Sequence, residues 1–154
     1  MRTDASGIAM GAVLLQEFDG AKRPIEYASK AFKPEQLNYP TIEKEATAIM
    51  FALEKWKHFL FGNKFTIETD HKPLQWLMTK KDCSGKLGRM ALRLQEFLDF
   101  EITHIKGSDN GIADALSRIV ISLLEHGDAV LSSKLNDKIS KNPSVFVLLD
   151  GRYY

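Results

Sequence analysis

The rhythm of apolar and polar positions changes several times along the chain, and each change marks an element. From Thr3 to Gln16 (TDASGIAMGAVLLQ) the chain starts polar and ends apolar. Asp19-Gly20 is a two-residue turn signal, and Pro24–Ser29 alternates beyond it, so this region reads as a hairpin. A loop follows through Pro34 and Pro40. The spacing then shifts to three and four: Ala46, Ile49, Leu53, Trp56 and Leu60 share one face of a long helix. Thr41 is its expected N-cap, without a capping box because Lys44 stands three residues on, and Gly62 is its expected stop. Lys64–Asp70 alternates again, with Phe65, Ile67 and Thr69 on one side, and reads as a strand. Pro73 opens a short helix from Leu74 to Met78, and residues 79–85 form a polar loop. Leu87, Met90, Ala91, Leu94 and Leu98 mark a second long amphipathic helix. Phe100–Ile105 reads as a strand, Gly107–Asn110 as a loop, and Ile112–Arg118 as the start of a further helix.

Hairpin, helix, strand, helix, strand, helix is a mixed α/β order, which predicts a central sheet covered by helices. After Arg118 the character changes. Ile119–Leu124 is apolar, residues 125–144 are polar, and Val145–Leu149 is strand-like before Asp150-Gly151. The 36 residues from 119 to 154 are too few for a second core unaided, so they read as a tail or linker. No internal repeat or low-complexity tract interrupts the chain.

Composition narrows the class. The chain has 154 residues, 44% of them hydrophobic, enough to fill one core and too many for wholesale disorder. No apolar run has membrane-spanning length, and the charged start Met1-Arg2-Thr3-Asp4 lacks the apolar stretch of an export signal. The single cysteine, Cys83, excludes an internal disulfide framework and a Cys-rich zinc site. A net charge of +1 says nothing about nucleic acid, but its distribution does. Between Lys55 and Arg93 nine Lys/Arg face three Asp/Glu, and Lys86, Arg89 and Arg93 step by three and four along one helix. Such a stripe could follow a phosphate backbone without reading sequence; a solvated helix face is the plainer alternative.

The carboxylates carry the chemistry. Asp4 lies in the first strand, Glu45 near the start of the first long helix, Asp70 at the end of a strand and Asp114 at the start of the last helix. Each sits in or beside apolar sequence. Glu45 precedes Ile49, Ala52 and Trp56 at offsets of four, seven and eleven, so it points with the buried stripe, whereas Glu43 does not. Four carboxylates converging beside a core would repel one another and require counter-charge. Hard divalent cations with oxygen ligands would supply it, and Mg²⁺ suits because it keeps waters and substrate phosphate in its shell. Taken singly, each acid could instead cap a helix or end a strand at the surface.

Five blocks in collinear order carry a resemblance. Thr3-Asp-Ala-Ser with Gly11-Ala-Val-Leu, then Tyr39-Pro-Thr-Ile-Glu-Lys-Glu-Ala, then Lys55-Trp-Lys-His-Phe-Leu-Phe-Gly, then Phe65-Thr-Ile-Glu-Thr-Asp-His-Lys-Pro-Leu, then Gly107-Ser-Asp-Asn-Gly-Ile-Ala-Asp-Ala-Leu-Ser-Arg118 resemble the ribonuclease H domain of gypsy-type LTR retrotransposon Pol polyproteins. The resemblance covers roughly residues 2–118. It implies a ribonuclease H-like mixed five-stranded sheet flanked by helices, with a C-terminal tail. It implies a metal-dependent endoribonuclease that hydrolyses the RNA strand of RNA–DNA hybrids during reverse transcription, leaving a 3′-hydroxyl and a 5′-phosphate. Its metal ligands map onto Asp4, Glu45, Asp70 and Asp114, holding two Mg²⁺ ions with Mn²⁺ as a substitute. In that scheme Asp4 and Asp70 share the metals, with Glu45 on one ion and Asp114 on the other.

The same resemblance bears on His104, ten residues before Asp114. Cellular ribonucleases H carry a His at that spacing that helps product leave; the alternative is a strand His filling space beside Phe100 and Ile102. His71 reads as a turn or packing residue. Family members have several more apolar residues before Thr-Asp-Ala-Ser, so the first strand is expected to be short and Asp4 to lie near a fraying terminus. Residues 119–154 resemble the segment preceding the integrase zinc-binding region. The implied partners are the hybrid and the reverse transcriptase and integrase regions of one polyprotein, in cytoplasm or a virus-like particle, with no membrane. The competing function is an inactive retroelement remnant that binds nucleic acid or connects polyprotein domains.

Overall fold

In the computed structural model, residues 1–77 and 84–126 are described, with side chains over 1–75 and 84–118, together with two short strands at 148–149 and 152–153. The order is β1 (Arg2–Ala5), β2 (Ala9–Phe18), β3 (Ala21–Ala31), α1 (Thr41–Lys55), α2 (Lys57–Leu60), β4 (Phe65–Thr69), α3 (Lys72–Leu77), α4 (Gly85–Leu94), β5 (Phe100–His104), α5 (Gly111–His126), β6 (Leu148–Leu149) and β7 (Arg152–Tyr153). Short 3-10 turns occupy Pro34–Gln36 and Gly107–Asn110.

The five-stranded sheet runs β3-β2-β1-β4-β5. Its first three strands are antiparallel, and β4 lies parallel to both β1 and β5. The mixed sheet expected from the sequence is the one that forms. Alternation along β2 explains its two covers. Ala12 and Leu14 face a core with Ile49, Leu53 and Trp56 of the first helical segment and with Ala91 and Leu94 of α4. Val13 faces the other way, against Tyr27 and Leu116 of α5. Burying Ile49 and Leu53 contributes roughly 1.5–3 kcal/mol each.

Asp19 and Gly20 both have positive φ, 52° and 75°, which is the backbone a tight hairpin turn between twisted strands requires. Several elements differ from the sequence reading. The segment from Thr3 to Gln16 makes two strands, because Ser6-Gly7 turns the chain and the Ser6 backbone N–H donates to Ala9 O at 2.8 Å. Thr41 lies in the first helical turn rather than at the cap. Pro40 is the cap residue, and its carbonyl accepts from the Glu43 and Lys44 N–H groups. The long helix breaks at Trp56 (φ −109°, ψ 20°), whose side chain is fully buried, and α2 resumes beyond it. Helix α4 ends at Leu94. Leu98 is 93% exposed, and Phe97 turns inward instead, edge-on to Phe61 and Phe65.

Beyond Arg118, α5 continues to His126, so the apolar stretch from Ile119 belongs to a helix. Of the strand-like run at 145–149, residues 148–149 form β6, paired antiparallel with β7. Residues 79–83 of the expected polar loop, Cys83 included, and residues 127–147 of the expected tail lie outside the described residues. Near Asp4, where fraying was expected, the start of the chain is held by burial and hydrogen bonds. Met1 is buried, its ammonium donates to Thr66 O at 2.6 Å, and its carbonyl accepts from the Glu68 N–H at 2.8 Å. Strand pairing on both sides ties β1 into the centre of the sheet.

Candidate functional site

Parallel pairing of β1 and β4, with Arg2 opposite Glu68, brings the C-terminal ends of both strands to the same edge of the sheet. Asp4 stands near the end of one, and Asp70 directly follows the other. Glu45 reaches the same place from α1, where the helical spacing turns it inward. One carboxylate oxygen from each of Asp4, Glu45 and Asp70 lies within 4.8 Å of the others. Asp4 and Glu45 are buried and Asp70 is partly so.

The electrostatics are those of a cluster short of positive charge. Glu45 is 5% exposed, and its carboxyl is pushed up to about 8, mainly by burial and further by the Asp4 and Asp70 charges. The Asp4 pKa is also raised by burial. The Ser117 hydroxyl opposes that shift, and the charges of Asp70 and Asp114 add to it. Glu45 Oε2 is buried with no hydrogen-bond partner among the described residues. An orphaned, buried carboxylate oxygen beside two further carboxylates is an all-oxygen donor set of the kind that hard divalent cations take, so the residues present fit such an ion. Gly107 leaves the approach open: a Cβ there would come within 3.3 Å of Asp70 Oδ2.

Asp114 stands apart from that three-residue cluster, and this revises the expected convergence of four. It lies in the first turn of α5, half-exposed, with Oδ1 held by Arg118 of the same helix at 2.8 Å from Nε and 2.7 Å from Nη2. Arg118 sits four residues on, the spacing at which helical neighbours meet. Asp114 remains close enough to raise the Asp4 pKa.

Parallel register between β4 and β5 sets Thr69 opposite His104, which places the imidazole beside Asp70. His104 is exposed, with Nε2 3.2 Å from Asp70 O. His71 occupies the turn after β4, its N–H bonded to Thr69 Oγ1 at 3.1 Å and its carbonyl to the Leu74 N–H at 2.9 Å. The basic residues of α4 are partly engaged. Lys86 lies over the Tyr39 ring and pairs with Glu43 at 3.4 Å, and Arg93 pairs with Glu54 at 3.2 Å. Both acids belong to α1, so two members of the stripe fasten α4 to its neighbour. Arg89 is exposed and has no ion pair among the described residues.

Two residues that sequence reasoning passed over complete the site. Asn110 is fully buried, donates from Nδ2 to Thr3 O at 3.0 Å and reaches Asp70 Oδ1 at 3.4 Å. Ser117, also fully buried, donates to Asp4 Oδ2 at 2.6 Å. The only signal in the sequence was a hydroxyl and an amide within the apolar stretch that carries Ala113 and Leu116.

This arrangement has relatives. A family model described as the RNase H-like domain found in reverse transcriptase matches residues 1–97. The chain belongs to that family. The Pol polyprotein of Drosophila melanogaster transposon 297 is 43% identical over 137 residues, covering 89% of this chain and 12% of the polyprotein. That of transposon 412 from the same fly is 44% identical, over 80% of this chain and 10% of its own length. The Tf2-3 polyprotein of Schizosaccharomyces pombe is 44% identical, over 78% and 9%. The chain thus spans about a tenth of the length of these retrotransposon polyproteins. Among solved structures, RNase H1 from the archaeon Halobacterium salinarum superposes with TM-score 0.61 at 22% identity, over 79% of this chain and 93% of that one. LC11-RNase H1 in complex with an RNA/DNA hybrid superposes with TM-score 0.60 at 18% identity, over 75% and 90%. Both establish the ribonuclease H-like fold for this RNase H-like domain.

Proposed function

We propose that this RNase H-like domain is the metal-dependent endoribonuclease of a retrotransposon Pol polyprotein, hydrolysing the RNA strand of RNA–DNA hybrids. One observation carries the reading above the others: Asp4, Glu45 and Asp70 present three oxygens within 4.8 Å of one another, and Glu45 Oε2 has no hydrogen-bond partner among the described residues. These three residues would hold the divalent ions, with Mg²⁺ favoured by a ligand set made only of carboxylate oxygens. When bound, two such ions supply an activated water and neutralise the leaving oxygen of a phosphodiester.

The rest of the chemistry falls to the chain. Asn110 holds Asp70 against β1, and Ser117 holds one oxygen of Asp4. Asp114 joins by rotation of its side chain. Its exposed pair with Arg118 is worth only about 0–1 kcal/mol, so little opposes that rotation. His104, exposed and with Nε2 on the Asp70 carbonyl, stands beside the cluster where it can help product leave. Arg89 and the exposed Arg93 attract the duplex backbone without reading sequence, while Lys86, with its Nζ buried between Tyr39 and Glu43, does not take part. The catalytic module runs through α5, and residues beyond it lead toward the next region of the polyprotein.

The test is cleavage of a labelled RNA–DNA hybrid. Wild-type protein with Mg²⁺ or Mn²⁺ should cut only the RNA strand, and chelator or Asp70→Asn should lower the rate at least 100-fold. Cutting that persists in Asp70→Asn would refute the site. No cutting by a folded wild-type chain would favour the inert, nucleic-acid-binding remnant.

A further inference from the structure

The metal-site reading nominates ligands but does not say what aims them, and the packing of α5 bears on that question. Helix α5 lies on β2 at an unusually close approach. A Cβ at Gly11 would meet Ala113 O at 2.3 Å, Ser117 N at 2.5 Å and Leu116 Cβ at 2.8 Å, so only glycine allows this contact. Gly11 is the register partner of Asp4 across β1 and β2, and the two point to the same face of the sheet. The close approach at Gly11 fixes the height of the helix, and two hydroxyls add hydrogen bonds to its carbonyls without setting that height. Ser6 Oγ donates to Ser117 O at 2.8 Å, and Ser29 Oγ donates to Leu116 O at 2.7 Å. With α5 pinned at that height, Ser117 Oγ comes 2.6 Å from Asp4 Oδ2, with Asp114 O as a second neighbour at 2.8 Å. A hydroxyl carries one proton, and the shorter contact to the charged acceptor is the stronger place for it.

We propose that Ser117 is a positioning residue for Asp4: its hydroxyl holds one carboxylate oxygen toward α5, so that the other is presented to Glu45 and Asp70. The inference rests on the metal-site reading. Without the Ser117 hydroxyl, Asp4 keeps its place on β1 and loses the restraint on its side-chain rotation, so the three oxygens no longer meet in one arrangement. Ser29 provides the control. Its hydroxyl is equally buried and also bonds a carbonyl of α5, one residue before Ser117, but it makes no contact with Asp4.

The experiment is a calorimetric titration of the whole chain with Mn²⁺ at fixed pH, paired with thermal unfolding in chelator, for wild type, Ser117→Ala and Ser29→Ala. The expected result is a 5- to 20-fold weaker Mn²⁺ affinity for Ser117→Ala and a change under twofold for Ser29→Ala, although each loses one buried hydrogen bond and a similar margin of thermal stability. Equal affinities in wild type and Ser117→Ala would overturn the positioning role while leaving the metal site standing, as would equal weakening in both variants. Absence of Mn²⁺ binding by folded wild type would overturn the metal-site reading and this inference together.

Discussion

Glu68 and Glu45 are buried to nearly the same degree, 6% and 5% exposed, and the protein treats them in opposite ways. Glu68 sits on β4 between two cations, with Arg2 Nε at 2.7 Å and Lys22 Nζ on its other oxygen. Burial pushes its carboxyl up, but the Lys22 and Arg2 hydrogen bonds more than offset that and hold it below the ordinary range. Glu45 has Asp4 and Asp70 for neighbours, an oxygen with no partner among the described residues, and a pKa pushed up to about 8. Arg2, which serves Glu68, and Asp4, which neighbours Glu45, are two residues apart on the same strand. Where a buried acid is structural, this chain brings cations to it. Glu45 has no such cation among the described residues, and an uncompensated buried carboxylate is costly.

The largest effect that sharpens this contrast is Glu45→Gln in metal-free protein. A carboxyl whose folded pKa exceeds its unfolded value costs stability as pH rises from that unfolded value through the folded one. The variant should therefore match wild type near pH 4.5 and exceed it at pH 8 by roughly 3–5 kcal/mol in denaturant titrations with chelator. Taking the difference between the two proteins cancels the buried Met1 ammonium, which burial lowers to about 6 and which titrates in the same window. Equal stabilities at pH 8 would mean that Glu45 is solvated after all.

The opposite sign is expected at the neutralised end. Arg2→Ala leaves Glu68 with only the half-exposed Lys22 and should destabilise by about 2–3 kcal/mol at neutral pH. Because the Glu68 pKa is lowered, its contribution is present above the unfolded carboxylate pKa and is lost as pH falls through the folded value. Wild type and Arg2→Ala should therefore converge in acid. The smallest effect belongs to Arg118→Ala, which breaks an exposed pair within one helix. It should change stability by less than about 0.5 kcal/mol while freeing Asp114.

Much of the unneutralised end was readable from the sequence. Asp4 and Asp70 stood out because one lies in a strand and the other ends one, each in or beside apolar sequence, and Glu45 because it keeps the offsets of a buried helical stripe. Glu68 was not readable. It alternates with Ile67 and Thr69, as a solvent-facing strand residue would, and its cations arrive from 66 and 46 residues away. Asp114 shares the sequence surroundings of the others, but its pairing with Arg118 four residues on was not foreseen. Helix ends were misread where spacing alone was followed, since Leu98 keeps the period yet Phe97 is the residue that the core accepts. Asn110 and Ser117 could not be nominated because their partners are set by the packing of α5 on the sheet.

The central claim is that Asp4, Glu45 and Asp70 form one cation site. The most direct measurement is anomalous diffraction from crystals of the whole chain grown with Mn²⁺. The account predicts a peak bounded by those three carboxylates, with none at Glu68. A peak elsewhere, or well-ordered carboxylates with no peak between them at saturating Mn²⁺, would contradict it.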